Sequence, residues 1–93
     1  MKVQFFAYLR DQQYAGCKGL SLEGPASLRD LGRELSRRFG ESFHDEFFNS
    51  DETELGERII VMINGRRAEF VGGLDAPLHP DDLILIFPVV AGG

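Results

Sequence analysis

A single amphipathic helix pattern stands between strand patterns at both ends of this chain. Leu28, Leu31, Leu35 and Phe39 recur at helical spacing. Ser27 precedes them as an N-cap residue with Asp30 three positions on, and Gly40 sits where helix ends favour a left-handed residue. Gly32 lies beside the stripe, where a missing side chain would let the helix approach a sheet closely. One helix can cover only one face of a sheet, so the pattern predicts an α+β two-layer domain. The 93 residues suffice for one domain with a modest core.

The strands read as follows. Residues 2–10 alternate Val3, Phe5, Ala7 and Leu9 against Gln4, Phe6, Tyr8 and Arg10, the period of a half-buried strand. Residues 18–22, bracketed by glycines, are a candidate hairpin partner. After the helix, Phe43 and Phe47 at i,i+4 predict a short helical turn in 41–49, and the polar stretch 49–57 reads as a mobile acidic loop. Residues 58–63, apolar after Arg58, end at Asn64-Gly65, a hairpin turn signal, across which 66–71 can pair back. A turn-rich segment with two prolines, 72–82, leads into the last strand at 83–87.

That last strand is apolar at every position, although the helix can cover only one sheet face. Phe6 and Tyr8 likewise point away from Val3, Phe5 and Ala7. An uncovered apolar face is expected to be a partner surface; the alternative is that 41–57 folds over it. Phe6, Tyr8 and Met62 are expected in this interface, together with Leu85 and Phe87 or else Ile84 and Ile86, between which the periodicity of the last strand does not choose.

Little in the chain points to catalysis of its own. His44 and His79 have no companion at metal-ligand spacing and read as surface or satisfied histidines. The lone Cys17 has no histidine near it in sequence to serve as its base, reads as a buried or incidental thiol, and excludes a disulfide framework. Gly72-Gly73 does not precede a capped helix and is no phosphate loop. The cluster Asp51, Glu52, Glu54 and Glu57 lacks calcium-loop spacing. A net charge of −5 argues against nucleic acid, and no apolar run approaches the roughly 20 residues that span a bilayer. A cytoplasmic protein without a bound cofactor is expected.

What remains distinctive is the tail. Pro88 lacks an amide hydrogen, so the ladder is expected to end at Phe87. Residues 88–93 are then released as a flexible arm that reaches about 20 Å when extended. Its end, Gly92-Gly93, presents a carboxylate with no side chain to obstruct passage through a narrow slot. The opening Lys2-Val3-Gln4-Phe5-Phe6-Ala7-Tyr8-Leu9-Arg10-Asp11 and the closing Ile86-Phe87-Pro88-Val89-Val90-Ala91-Gly92-Gly93 resemble the small, sulfur-carrier subunit of molybdopterin synthase, over essentially the whole chain. The resemblance implies a ubiquitin-like β-grasp fold for a single domain spanning 1–93, a mixed sheet with one main helix packed on one face. It places Ile84 and Ile86 inward and Leu85 and Phe87 outward. It further implies that an E1-like partner adenylates Gly93 with ATP, that a sulfur donor converts it to a thiocarboxylate, and that Val89, Val90, Ala91 and Gly92 thread it into a large subunit. There the sulfur passes to a cyclic pyranopterin precursor. Sulfur carriage for thiamine, a sulfur amino acid or tRNA, and a ubiquitin-like protein modifier, are the alternatives.

Overall fold

Ser27 starts the first helix in the way its side chain predicts: its Oγ accepts from the amide of Asp30 at 3.2 Å. Helix α1 runs Leu28–Phe39, with Asp30 in its first turn and Arg37 and Arg38 in its last, which suits the helix dipole. Gly40, at φ 96°, closes it by donating to Ser36 O at 2.8 Å. Helix α2, Glu41–Phe47, begins at once. The computed structural model describes residues 1–6 and 19–88. The expectations that fall on Ala7, Tyr8, Leu9, Cys17, Val89, Val90, Ala91, Gly92 and Gly93 therefore lie outside the described residues.

The strands are β1 (Lys2–Phe5), β2 (Gly19–Ser21), β3 (Ile59–Ile63), β4 (Arg66–Arg67) and β5 (Leu83–Pro88). They form one five-stranded sheet in the order β2-β1-β5-β3-β4. β1 and β5 are parallel, and the other neighbours are antiparallel. Strands from opposite ends of the sequence thus lie side by side at the centre. Alternation sends Val3, Phe5, Ile59, Val61, Ile63, Ile84 and Ile86 inward, where they join Leu28, Leu31 and Leu35 of α1 in one buried cluster. Each such side chain contributes roughly 1.5–3 kcal/mol by leaving water. Asn64 and Gly65, at φ 51° and 85°, form the tight turn that joins β3 to β4.

Four details depart from the sequence reading. Gly32 makes room for α2 rather than the sheet: a Cβ there would stand 2.3 Å from Phe47 Cε1 and 2.7 Å from Phe48 Cζ. Phe43 and Phe47 are fully buried in the same cluster as Phe5, with the Phe43 and Phe47 rings stacked at 5.5 Å. Segment 41–57 thus packs on the helix side and does not fold over the open face. Loop 49–57 is held by its own polar groups. Asn49 Oδ1 accepts from the amides of Thr53 and Glu54 at 2.9 and 3.2 Å, and Gly56 N donates to Phe47 O at 2.8 Å. β4 is two residues long, because Ala68–Phe70 turns into a 3-10 helix that buries Ala68.

The fourth departure concerns Pro88, which belongs to β5 opposite Ile59. Asn64 N donates to Leu83 O at 2.9 Å, so bonded pairs alternate from there. By that alternation Ile59–Pro88 is a non-bonded position where no β3 hydrogen bond is lost. Toward β1 the pairing stops two residues earlier, at Phe5–Ile86.

Candidate docking face and strand exit

The strand periodicity that fills the core also sets the opposite face of the sheet. Lys2, Gln4 and Phe6 point outward from β1, Leu83, Leu85 and Phe87 from β5, and Ile60 and Met62 from β3. Register aligns them in rows. Gln4 lies beside Leu85, Leu85 beside Met62, and Met62 beside Arg67. Ile60 lies beside Phe87, and the Phe6 and Phe87 rings meet edge to face at 5.8 Å and 82°. An edge-to-face pair contributes about 0.5–1.5 kcal/mol beyond area burial.

Phe6 is 37% exposed and Leu83 38%, while Ile60, Met62, Leu85 and Phe87 are half-buried. Large apolar side chains in this state remain partly wetted and lose that contact when another surface covers them. Lys2 stands exposed at one margin. Arg67 stands at the other, its guanidinium 2.9 Å from Glu69 Oε2. The named side chains of the face include no carboxylate, imidazole or thiol.

Four of the expected interface residues, Phe6, Leu85, Phe87 and Met62, share this face, and Phe6 and Phe87 touch. Ile84 and Ile86 are inward and fully buried, as the resemblance implied. Ile60 and Leu83 belong to the face and were missed. Ile60 shares the strand parity of Met62, and Leu83 that of Leu85, so once Met62 and Leu85 are placed outward, alternation points to both.

The far end of β5 is anchored by a buried carboxylate, a second feature not foreseen. Asp82 is 8% exposed. Its Oδ1 accepts from Asn64 Nδ2 and its Oδ2 from His79 N, each at 2.8 Å. Its backbone carbonyl accepts from Lys2 N at 2.9 Å, and Asn64 Oδ1 accepts from Leu83 N at 2.9 Å. Burial pushes the Asp82 carboxyl up, but the donors from Asn64 and His79 outweigh it and hold the group below the ordinary aspartate value. This clamp fixes the β1–β5–β3 register, and so the point where Phe87 and Pro88 emerge.

His44 is a satisfied histidine, as expected, with Asp45 and Glu52 carboxylates on its two ring nitrogens. Among the described residues no group of three or more His, Cys, Asp or Glu side chains is arranged to hold a metal ion. Among those residues, too, no helix is long and apolar enough to cross a membrane.

Comparison with known proteins adds three kinds of result. The ThiS family model matches residues 3–93. Comparison with curated proteins gives no significant match. Among solved structures, the small archaeal modifier protein 1 of Methanosarcina acetivorans is 32% identical, with a TM-score of 0.78 over 99% of this chain and 94% of that one. A chain from the BexX/CysO complex of Amycolatopsis orientalis is 26% identical, with a TM-score of 0.80 over 99% and 98%. A Pyrococcus furiosus chain provisionally described as molybdopterin converting factor subunit 1 is 28% identical, with a TM-score of 0.65 over 96% and 95%.

Proposed function

Because the chain belongs to the ThiS family and has the β-grasp fold of ubiquitin-like sulfur carriers, we propose that it is the sulfur-carrier subunit of a molybdopterin synthase. The observation that carries this reading is the Phe6–Phe87 pair on the open face, one residue before Pro88. It joins a recognition surface to the base of the arm that ends in Gly93. The opening 2–11 and closing 86–93 segments, together with the likeness to the Pyrococcus furiosus chain, favour molybdopterin among the products open to the family.

In this reading an E1-like enzyme joins the Gly93 carboxylate to the AMP moiety of ATP and releases pyrophosphate. A sulfur donor then attacks the acyl adenylate, AMP leaves, and a terminal thiocarboxylate remains. ATP is used by the activating partner and is not held by this chain. The open face docks on the large subunit, Val89, Val90 and Ala91 enter its active site, and the thiocarboxylate gives its sulfur to a cyclic pyranopterin precursor. Water restores the carboxylate. General acid–base groups come from the partner, and the work belongs to the cytoplasm.

A second reading rests on the 32% identity to a small archaeal modifier protein: Gly93 is joined to lysines of target proteins. One co-expression decides between them. With an E1-like enzyme and a sulfur donor, intact mass should rise by one oxygen-to-sulfur exchange. Adding large subunit and precursor should restore the original mass and yield the dithiolene product. Tail-bearing adducts on target lysines, with no dithiolene formed, would instead establish the modifier reading.

A further inference from the structure

His44 stands in the last turn of α2 with a carboxylate at each ring nitrogen. Nδ1 lies 3.1 Å from Asp45 Oδ1 and Nε2 3.1 Å from Glu52 Oε1. A neutral imidazole carries one N–H and can donate to one of these oxygens, leaving a lone pair facing the other; the imidazolium donates to both. The two carboxylates differ in where they are mounted. Asp45 is the next residue of the same helix and stays beside His44 whatever the loop does. Glu52 is eight residues on, in loop 49–57, and comes within reach only while that loop lies against α2.

The loop is also held by Asn49, by the Phe48–Leu55 bridge and by Arg29, none of which titrates with His44, so the His44–Glu52 tie adds a proton-dependent share to a hold already present. Glu52 is the loop residue at φ 57°, a left-handed conformation that a side-chain-bearing residue adopts at some cost. Its carbonyl accepts from Arg29 Nη1 of α1 at 2.6 Å. The remaining ionic groups lining the depression around His44 are Glu46 on α2, Glu57 of the loop and Arg58 at its end. The acidic groups outnumber the single cation there. The loop also runs directly into β3, whose first residue, Ile59, pairs with Pro88. Its position is therefore tied to the end of the sheet where β5 leads out.

We propose that His44 is a proton-operated latch: its imidazolium clips loop 49–57 onto α2 through Glu52, and loss of the proton releases the loop beside the strand exit. The clip needs no partner or reaction, so it stands independently of the sulfur-carrier reading. The side-chain hydrogen bond from Asp45, then that from Glu52, raise the His44 pKa above its ordinary 6.5. The sign follows. A raised folded value means that the tie is fully present below the ordinary histidine pKa and is lost as pH rises through the raised one. The Asp45 share persists when the loop opens, so only the Glu52 share is linked to opening.

The test is an NMR titration of the full chain, following the His44 ring carbon and the exchange protection of the Thr53, Glu54 and Gly56 amides. Wild-type His44 should titrate above the ordinary histidine value, and Glu52→Gln should lower its midpoint. Across that midpoint, wild-type loop protection should fall by the factor set by the midpoint difference between the two proteins, about tenfold per pH unit. Glu52→Gln and His44→Gln should both hold the lower protection at every pH, while Leu31 and Val61 amides in the core stay protected. An unchanged midpoint in Glu52→Gln would overturn the latch. So would wild-type loop protection that shows no step at the His44 midpoint.

Discussion

Phe87 is neither a core residue nor a free surface one. Its ring is covered in part by Phe6 and the sheet, and the remainder faces outward beside the strand exit. In the proposed synthase, Phe87→Ala should lower affinity for the large subunit by about 2 kcal/mol or more, as loss of an aromatic anchor does. Its folding cost should be about 1 kcal/mol, the scale of one aromatic pair, well below the roughly 3–5 kcal/mol of a buried phenylalanine. Chemical denaturation and partner titration of the one variant separate these, and lost stability with unchanged affinity would refute the docking face. At Gly32 the argument runs the other way. A methyl group would meet the fully buried Phe47 ring at 2.3 Å, so Gly32→Ala should destabilise by about 1–3 kcal/mol through overpacking. Alanine's better helix propensity, about 1 kcal/mol, offsets part of that. A variant more stable than wild type would show that α1 and α2 are not packed as described. Asp82 is the residue whose charge matters to folding. Because its folded pKa is depressed, its stabilisation is present above the unfolded value, about 3.9, and is lost as pH falls through the lower folded one. Asp82→Asn should lower stability at neutral pH by about 1–3 kcal/mol and flatten the decline below about pH 4. Urea midpoints from pH 7 to pH 2 measure both effects, and an acid profile unchanged from wild type would contradict the clamp.

Among the elements, those set by neighbouring residues were legible in the sequence and those set by distant contacts were not. Ser27, Asp30, the leucine stripe and Gly40 define α1 within one short stretch, and the structure ends the helix at the expected residues. Asn64-Gly65 turns as its positive φ values require. Loop 49–57 reads as mobile because it is polar. Yet its polarity is spent internally, Asn49 bonding Thr53 and Glu54, and such pairing has no periodic signature. β4 stops after Arg67 because Ala68 is drawn under cover, an event decided by packing rather than by residues 66–71 themselves. Pro88 shows the same limit more sharply. A proline is a reason to end a strand only if its missing amide faces a neighbour, and that depends on register. The candidate face divides similarly: alternation exposes Phe6, the outward side of Leu85 and Phe87 came from the resemblance because the last strand is apolar at every position, and the Phe6–Phe87 contact exists only because β1 and β5 are parallel neighbours.

At the scale of the whole molecule, the described core extends from Val3 to Ile86. Removing Gly93, or adding a residue after it, should therefore leave the thermal midpoint unchanged while abolishing sulfur transfer. A chain lacking Gly93 that still supports dithiolene formation would end the carrier proposal. The net charge of −5 leaves the molecule acidic, while Lys2 and Arg67 stand at the margins of the open face. The central position of β5 has a further consequence, for synthesis. A ribosome makes β1 to β4 before β5, yet β5 lies between β1 and β3, and until it emerges those two have no common neighbour. A nascent chain thus holds a sheet split down its middle, with Val3, Phe5 and Val61 unable to close over a core. Folding must wait for the segment that carries Phe87 and leads into the arm. Chains cut short before β5 stay open to proteolysis, so the folded population consists of molecules that already bear the strand from which the arm departs.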